Sequence, residues 1–260
     1  MLAYSSLGDG PVIVLLHAFP LDRTLWRDVV EPIAAHGWSV ITPDLPGFGD
    51  SPGTMTSMAA AADDVAALLD SLGIERVVIG GCSMGGYVAM AFARAYRTRT
   101  AGIVLVDTKA NADDEGARAN RARIAEQVER AGNTEALAVT QPDLMLAQVT
   151  RESRADVVDW LQDTIRKQSA HAVANAQRAM ADRDEQFAML ADLRVPVLCM
   201  RGDADAIATA ADHTRMATAA ADGLDITIAD AGHLVPIENP AAFSLQMERF
   251  LTHIHGNHCA

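Results

Sequence analysis

The run GGCSMGG places one serine among glycines, between an apolar stretch and an amphipathic one. Residues 81–85 fit the pattern G-x-S-x-G, and the flanking stretches predict a strand before it and a helix after it. At such a turn the serine hydroxyl is held out at the sheet edge as a nucleophile, and small neighbours relieve the crowding. The alternative is a glycine-rich turn with an incidental serine. The strand and helix favour Ser83 as a candidate nucleophile.

A serine hydroxyl needs a general base, and the base needs an acid that orients it. In the strand–turn–helix arrangement these partners follow the serine in the order acid, then histidine. The segment RGDAD follows the apolar run VPVLCM, and AGHLV follows ITIAD, so both come just after a predicted strand. His233 is therefore the candidate base. Asp203 and Asp205 compete as the acid, and we favour Asp205, with Asp203 as a turn-stabilising aspartate.

Acyl transfer also requires hydrogen-bond donors for the oxyanion of its tetrahedral intermediate. One donor is expected directly after the nucleophile, at the Met84 N–H. The second is expected in the loop HAFP after the first buried strand, at the Phe19 N–H, with Ala18 as the alternative. A backbone donor leaves the Phe19 side chain free to form a wall of the pocket. The structural alternative is a plain turn in which Pro20 starts a helix.

The remaining histidines have structural interpretations. His17 ends a predicted strand and braces the neighbouring loop. The others fall in a predicted turn, on predicted helices or in a solvated C-terminal tail: His36, His171, His213, His253, His255 and His258. No histidine, cysteine or acidic cluster has the spacing of metal ligands. We therefore expect no metal and no organic cofactor.

Short apolar runs recur along the chain and predict the elements that position these residues. The runs are continuous, as in parallel strands covered on both faces, and they lie at 12–16, 40–42, 77–79, 103–106, 197–200 and 226–228. Helical patterns lie between or after them, at 58–72, 84–96, 208–221 and 240–254. The alternation predicts an α/β fold with a doubly wound, mostly parallel sheet.

One long segment, residues 108–193, contains helical patterns and no convincing strand. We interpret it as a helical cap inserted late in a core formed by residues 1–107 and 194–260. Six apolar residues are candidates for the underside of the cap: Leu144, Met145, Leu146, Val149, Val157 and Trp160.

Composition limits the classes of partner. The formal net charge is −13 over 260 residues, and no basic patch stands out, which argues against nucleic acid and anionic membranes. No signal peptide pattern and no apolar run of about 18 residues occurs. Three cysteines without a CxxC pattern, Cys82, Cys199 and Cys259, fit a reducing cytoplasm. The expected partner is a small ester-like molecule, and the oligomeric state is not indicated.

Five blocks together resemble the α/β-hydrolase superfamily over nearly the whole chain: HAFPLDRTLW, DLPGFGDS, GGCSMGGYVA, RGDAD and AGHLVPIENP. The chain is most similar to compact capped serine hydrolases, which include short-chain carboxylesterases, 3-oxoadipate enol-lactonases and cofactor-free haloperoxidase-like esterases. The resemblance implies Ser83 as nucleophile, Asp205 as acid and His233 as base. It also implies Phe19 and Met84 as oxyanion donors, and a cap that shapes substrate choice.

The resemblance implies hydrolysis of a small or medium ester or lactone. Cleavage of a C–C bond or a thioester, perhydrolysis, and ligand binding without turnover stay open as alternatives. A C–C hydrolase should offer basic groups to its acidic substrate, and the cap contains five candidates for which a solvated helix face is the simpler interpretation: Arg118, Arg121, Arg123, Arg166 and Lys167. Haloalkane dehalogenases and epoxide hydrolases of this superfamily have an aspartate at the nucleophile position, where this chain has Ser83.

Three features depart from the family pattern. The usual HG before the oxyanion residue is HA, so Ala18 must adopt the backbone that glycine normally supplies. The N-terminal segment has room for one starting strand where the family commonly has two, which predicts that the first antiparallel edge strand is missing. The acid loop DADAIAT lacks a proline that the family often has a little further along.

Overall fold

The computed structural model describes residues 1–258. Within them one sheet contains seven strands in the order β1-β3-β2-β4-β5-β6-β7. The strands are β1 (Tyr4–Leu7), β2 (Val12–Leu16), β3 (Ser39–Pro43), β4 (Val77–Cys82), β5 (Thr100–Val106), β6 (Val197–Gly202) and β7 (Gly223–Ile228). All neighbouring pairs are parallel except β1 with β3.

The central strands are covered on both faces. Every residue of β4 and β5 is buried, as the continuous apolar runs predicted. The six predicted strands all form, and the doubly wound α/β fold is confirmed. Because the carboxyl ends of β2, β4, β5, β6 and β7 meet at one edge of the sheet, the loops that follow them lie side by side.

The N-terminal segment forms one strand, as its length allows, and that strand is itself the antiparallel edge. Tyr4 pairs with Pro43 and Leu7 with Val40 in the β1–β3 register. The structure thus has one starting strand where two are common in the family, as predicted, and this one strand supplies an antiparallel edge. All four residues of β1 are exposed, so main-chain pairing with β3 rather than burial of side chains holds the strand in place.

Six helices of the described core surround the sheet: α1 (Val30–Ala35), α2 (Met58–Ser71), α3 (Met84–Ala95), α10 (Ala210–Ala219), α11 (Val235–Glu238) and α12 (Pro240–His258). Their ends follow ordinary capping chemistry. Gly73 after α2 has a φ of 68°, as expected of a C′ glycine. Asn239 Oδ1 accepts from the Ala242 N–H at 3.2 Å before α12. Helix α10 is shorter than predicted because Thr209 and Asp212 close a capping box at its start.

Between β5 and β6 the chain forms α4 (Glu115–Ala131), α5 (Glu135–Met145), α6 (Gln148–Ser153), α7 (Ala155–Lys167), α8 (Ala170–Ala181) and α9 (Phe187–Asp192). Helix α4 packs against α8, α5 against α7, and α9 against α10. Hereafter "the cap" means residues 108–193. Of the apolar residues predicted for its underside, Met145, Leu146 and Val157 are buried. Leu144 and Val149 are 47% and 46% exposed, and the prediction was wrong for Val149. Leu144 lines a cavity between the cap and the core.

Trp160, the sixth predicted residue, is partly buried and links the cap to the core. Its indole Nε1 donates a hydrogen bond to Thr24 Oγ1 at 3.0 Å. The Arg27 guanidinium lies over the same ring, 4.7 Å from the ring centroid. The cap therefore rests on the loop after β2 through an aromatic side chain.

Cys259 and the side chains of His255 and His258 lie outside the described residues. Cys82 and Cys199 are buried free thiols. Among the described helices, none combines the length and hydropathy needed to cross a bilayer.

Candidate active site

Ser83 occupies a strained turn between β4 and α3. Its φ of 52° and ψ of −112° lie in a region that residues with a Cβ rarely adopt. The Ser83 N–H donates to the Val106 carbonyl at 2.9 Å, and the Thr108 hydroxyl donates to the Ser83 carbonyl at 2.8 Å. The end of strand β5 and the residues just after it therefore hold the turn through two hydrogen bonds.

The sequence needs glycine near Ser83 because neighbouring backbone atoms occupy the space that a side chain would fill. A Cβ on Gly81 would lie 2.1 Å from the Gly85 carbonyl carbon. A Cβ on Gly85 would lie 2.1 Å from the Leu16 carbonyl oxygen. Both distances are far below van der Waals contact, so a side chain at either position would force strand β2, the turn and helix α3 apart.

The histidine and the acid meet at the ends of β6 and β7. His233 Nδ1 lies 3.0 Å from both carboxylate oxygens of Asp205, and both side chains are buried. Asp203 is exposed, and its Oδ1 lies 3.4 Å from the Ala231 nitrogen. Of the two aspartates that the sequence left in competition, the structure therefore brings Asp205 against the imidazole.

Asp205 is held as an ionised acceptor. Its Oδ1 also accepts from the Ile207 and Ala208 N–H groups, at 2.8 and 3.1 Å. Burial alone would raise the pKa of Asp205, but the imidazolium charge of His233 and these hydrogen bonds outweigh it and lower the pKa. The carboxylate therefore receives the Nδ1 proton of His233, which leaves Nε2 as the basic nitrogen.

Ser83, His233 and Phe19 line a common cavity of about 190 Å³. Its wall is mixed. The apolar part includes Tyr87, Ile124, Leu144, Met145, Met180 and Ile207, and the polar part includes Lys109, Asp113, Asn120, Arg121, Gln141 and Gln177. Most of these residues belong to the cap or to the loop that leads into it. A molecule bound at Ser83 would therefore contact both the core and the cap.

The predicted oxyanion donors lie at two loop ends beside this cavity. Met84 is the first residue of α3, so its N–H has no acceptor within the helix. Phe19 follows β2 and packs edge-on against Phe48, with ring centroids 6.5 Å apart. Positive φ among the described non-glycine residues occurs at Ser83, Asp107 and Asp230, so Ala18 needs no glycine-like backbone here.

His17 braces the same loop, as the sequence predicted. Its Nδ1 donates to the Ala18 carbonyl at 3.0 Å, and its Nε2 accepts from the Leu45 N–H at 2.9 Å. Burial lowers the pKa of His17, which keeps the ring neutral and able to perform both roles. The ring thereby ties the Ala18–Phe19 segment to the loop after β3.

Two buried carboxylates that sequence analysis missed lie behind the site. Asp107 follows β5, and its oxygens accept from the Gly202 N–H at 2.9 Å and the Val235 N–H at 3.2 Å. Asp107 thus joins the end of β5, beside Ser83, to strand β6 and to the turn after His233. Burial and the nearby Asp205 charge raise the pKa of Asp107 well above its usual range. The sequence signal was its position at a strand end.

Glu238, at the end of α11, is the second of these carboxylates. Its Oε1 accepts from the Gly232 and Leu234 N–H groups at 2.9 and 3.1 Å, on either side of His233. Its Oε2 accepts from the Ala147 N–H and the Thr150 hydroxyl of the cap, both at 2.8 Å. One side chain therefore joins the histidine loop to the cap. No local pattern in the sequence predicts this role.

Replacing Asp107 with asparagine should remove a pH-dependent loss of stability. The carboxyl of the unfolded aspartate titrates near pH 3.9, whereas the folded group holds its proton to higher pH. Above about pH 3.9 the unfolded state therefore binds fewer protons than the folded state. Wild-type free energy of unfolding should thus fall above about pH 3.9 relative to the variant, by at most about 1.4 kcal/mol per pH unit. Urea unfolding of both proteins at pH 5, 7 and 9 measures the gap. A gap that moves the other way would contradict a raised pKa for Asp107.

Two further histidines make structural contacts. His213 is buried on α10, where its Nε2 accepts from the Thr108 N–H at 3.3 Å, and burial lowers its pKa to about 4. His253 on α12 lies 3.0 Å from an Asp222 carboxylate oxygen at the surface. Among the side chains that the structure describes, no group of three or more from His, Cys, Asp or Glu has an arrangement that could hold a metal ion.

The family model for the alpha/beta hydrolase fold matches residues 11–240. The chain therefore belongs to the α/β-hydrolase family and is a hydrolase of that fold. A thermophilic esterase from Thermogutta terrifontis, solved with malate bound, is 38% identical in sequence, with a TM-score of 0.93 over 98% of this chain and 94% of that chain. The 3-oxoadipate enol-lactonase 1 of Acinetobacter baylyi is 29% identical over 90% of this chain and 86% of its own length.

A third relative matches a smaller part of the chain. Epoxide hydrolase 3 of Siraitia grosvenorii is 40% identical over 92 residues, which is 34% of this chain and 29% of that protein. The match is therefore closer in identity but leaves most of both chains unaligned.

Proposed function

We propose that this protein is a serine hydrolase that cleaves a carboxylic ester or lactone of small to medium size through an acyl-enzyme on Ser83. The observation that carries the proposal is one cavity lined by Ser83, on its strained turn, and by His233, which is paired with Asp205. The similarity to an esterase over almost the whole chain supports the same activity.

In the proposed mechanism, His233 Nε2 takes the hydroxyl proton as Ser83 Oγ attacks the acyl carbon. The Phe19 and Met84 N–H groups stabilise the tetrahedral oxyanion, a contribution of about 3–4 kcal/mol for each donor. The intermediate collapses, and His233 gives its proton to the departing alcohol. A water molecule, activated by His233, then attacks the acyl-enzyme and releases the acid. Asp205 keeps the imidazole in the tautomer that both steps require.

Epoxide hydrolysis finds less support, although one relative with that name shares a third of the chain. A carboxylate that opens an epoxide forms an alkyl ester, which water can hydrolyse in a second step. A serine would form an ether, which no later step of this site could release. The residue at the turn is Ser83, so acyl chemistry is the better match.

The cap, residues 108–193, is proposed to set the acyl and alcohol groups accepted. Residues from α4, α5 and α8 line the cavity beside Ser83, so a change in their size or charge should alter substrate preference. Of the five cap cations considered for an acidic C–C substrate, Arg121 lines the cavity, and it is ion-paired with Asp113. A panel that compares simple esters with a ring-cleavage dienoate separates ester hydrolysis from C–C hydrolysis. The free thiols Cys82 and Cys199 are consistent with the reducing cytoplasm as the proposed location.

Intact-mass spectrometry after exposure to a fluorophosphonate tests the nucleophile. We expect one adduct on the wild-type protein and none on Ser83→Ala. The His233→Ala variant should react at least about 100-fold more slowly, because general-base assistance is worth about 10²–10⁴-fold. Ser153→Ala, which removes an exposed hydroxyl on α6, is the matched control and should react like the wild type.

Two results would count against the proposal. One is the absence of an adduct on wild-type protein that is folded by circular dichroism. The other is an adduct that persists, on another residue, in Ser83→Ala.

A further inference from the structure

Lys109 lies where two cavities meet. It is two residues beyond Asp107, and it is half-buried. It lines the cavity that contains Ser83 and His233, and it also lines a larger neighbouring cavity of about 430 Å³. Tyr87 lines both cavities as well, so Tyr87 and Lys109 form part of the boundary between them. The residue before Lys109, Thr108, hydrogen-bonds to the Ser83 carbonyl. Lys109 therefore follows directly on the segment that holds the Ser83 turn, and its side chain lines the same cavity as Ser83.

The other charged groups in the wall of the Ser83 cavity, Asp113 and Arg121, are ion-paired. Asp113 accepts from Arg121 and lies 2.7 Å from Arg183 Nη1, so two guanidinium groups hold one carboxylate. These contacts, with burial opposing them, lower the pKa of Asp113. In the neighbouring cavity Arg94 lies 3.0 Å from an Asp184 carboxylate oxygen. The exposed Asp182 lines this neighbouring cavity and is not part of the Ser83 cavity wall.

Lys109 differs from these groups because it has no ion pair or hydrogen bond to any residue from 1 to 258 that the structure describes. The wall of the Ser83 cavity contains no free carboxylate that would repel an anion, since Asp113 is its one described acidic residue and is paired with two arginines. The protein as a whole carries a net charge of −13, so this excess of positive charge is local. A half-buried ammonium without a partner gains most from an anion that enters with the substrate.

From this geometry we propose that the substrate carries a carboxylate in addition to its ester or lactone group, and that Lys109 binds that carboxylate. The inference rests on the proposed ester hydrolysis and names the substrate class of the same site. Lys109 acts on specificity, because it holds a part of the substrate that does not react. The expected substrates are monoesters of short dicarboxylic acids, or esters and lactones whose alcohol part bears a carboxylate.

Two pairs of matched esters test the charge and its side of the ester bond. Monomethyl adipate and methyl adipamate differ in the acyl part, as carboxylate against amide. Acetoxybenzoate and acetoxybenzamide differ in the alcohol part. In at least one pair, wild-type kcat/KM should favour the carboxylate by about 10- to 100-fold, the range expected for a hydrogen-bonded charge. The preference should shrink to within about twofold in Lys109→Met and mostly through KM, since the lost binding is equal in ground and transition states.

Three controls make the result specific. Lys109→Arg keeps the charge and should keep most of the preference. Lys167→Met removes the chain's other lysine, which lines a separate surface cavity with Asp22 and Asp50, and should change nothing. Hydrolysis of the neutral amides by Lys109→Met measures any effect of the substitution on the shape of the cavity, so the preference for the carboxylate is compared as a ratio within each pair.

A binding measurement keeps the inference testable apart from turnover. Adipate should protect Ser83 from fluorophosphonate in the wild type, and about 10-fold more adipate should be needed in Lys109→Met. A wild type without preference in either pair, or a preference or protection that survives Lys109→Met, overturns the role of Lys109. A wild-type protein that hydrolyses none of the esters, but in which adipate still protects Ser83, would instead overturn the proposed hydrolysis and leave the carboxylate site in place.

Discussion

Replacing Asp205 with asparagine is expected to lower kcat for ester hydrolysis by about 10⁴-fold, the scale seen when a triad acid loses its charge without losing its shape. The reason lies in the two contacts to His233 Nδ1 at 3.0 Å. An asparagine can turn its NH₂ group toward Nδ1, and the imidazole then carries its proton on Nε2. In that tautomer Nε2, the nitrogen proposed to take the Ser83 hydroxyl proton, is already protonated and cannot accept it.

The matched control is Asp203→Asn, in the same loop. Asp203 is exposed, so its replacement should leave kcat within about twofold of the wild type, as for most surface substitutions. Steady-state kinetics on a neutral ester, with thermal unfolding to verify the fold, measures both variants. Equal losses in the two variants, or full activity in Asp205→Asn, would show that Asp205 does not orient the base.

Replacing Glu238 with alanine is expected to destabilise the protein by about 3–5 kcal/mol and to lower kcat as well. Four donors converge on this carboxylate: the Gly232, Leu234 and Ala147 N–H groups and the Thr150 hydroxyl. Removing it leaves these buried donors without an acceptor. Two of them flank His233, so the base should lose its fixed position before the whole protein unfolds.

Urea unfolding and the rate of fluorophosphonate labelling report these two effects separately. Glu238→Gln keeps the volume but places an NH₂ group against N–H donors, so it should fall between alanine and the wild type. Glu126→Ala, at an exposed position on α4, is the control and should shift the free energy of unfolding by less than about 0.5 kcal/mol. Wild-type stability and labelling in Glu238→Ala would refute the role of this carboxylate.

The sequence was most informative about the buried centre of the sheet. Continuous apolar runs predicted β4 and β5, whose residues are all buried, because a strand covered on both faces has no reason to alternate. It was less informative at the edge. The residues of β1 are all exposed, so their pattern carries no sign of burial, and the antiparallel partner is known only once β3 is in place.

The candidate site divides in the same way. Ser83, Asp205 and His233 could be proposed because each comes at or shortly after the end of a strand, where local patterns are strong. Lys109 and Glu238 could not, since their importance comes from partners more than 80 residues away or from the absence of a partner. The exposed Val149 shows the same limit, because a short helix in the cap does not reveal from its sequence which side faces the core.

The cap and the histidine loop touch so closely that they are one mechanical unit. The His233 N–H donates to the Met145 carbonyl at 2.7 Å, and a Cβ on Gly232 would lie 2.6 Å from the Ala147 nitrogen. A cap transplanted from a relative would therefore have to bring a carbonyl, an N–H and a hydroxyl to these same points, or the recipient would lose its base. Exchange of substrate preference between such enzymes should succeed through α4 and α8 and fail through the segment around Met145, where the cap is inseparable from the chemistry.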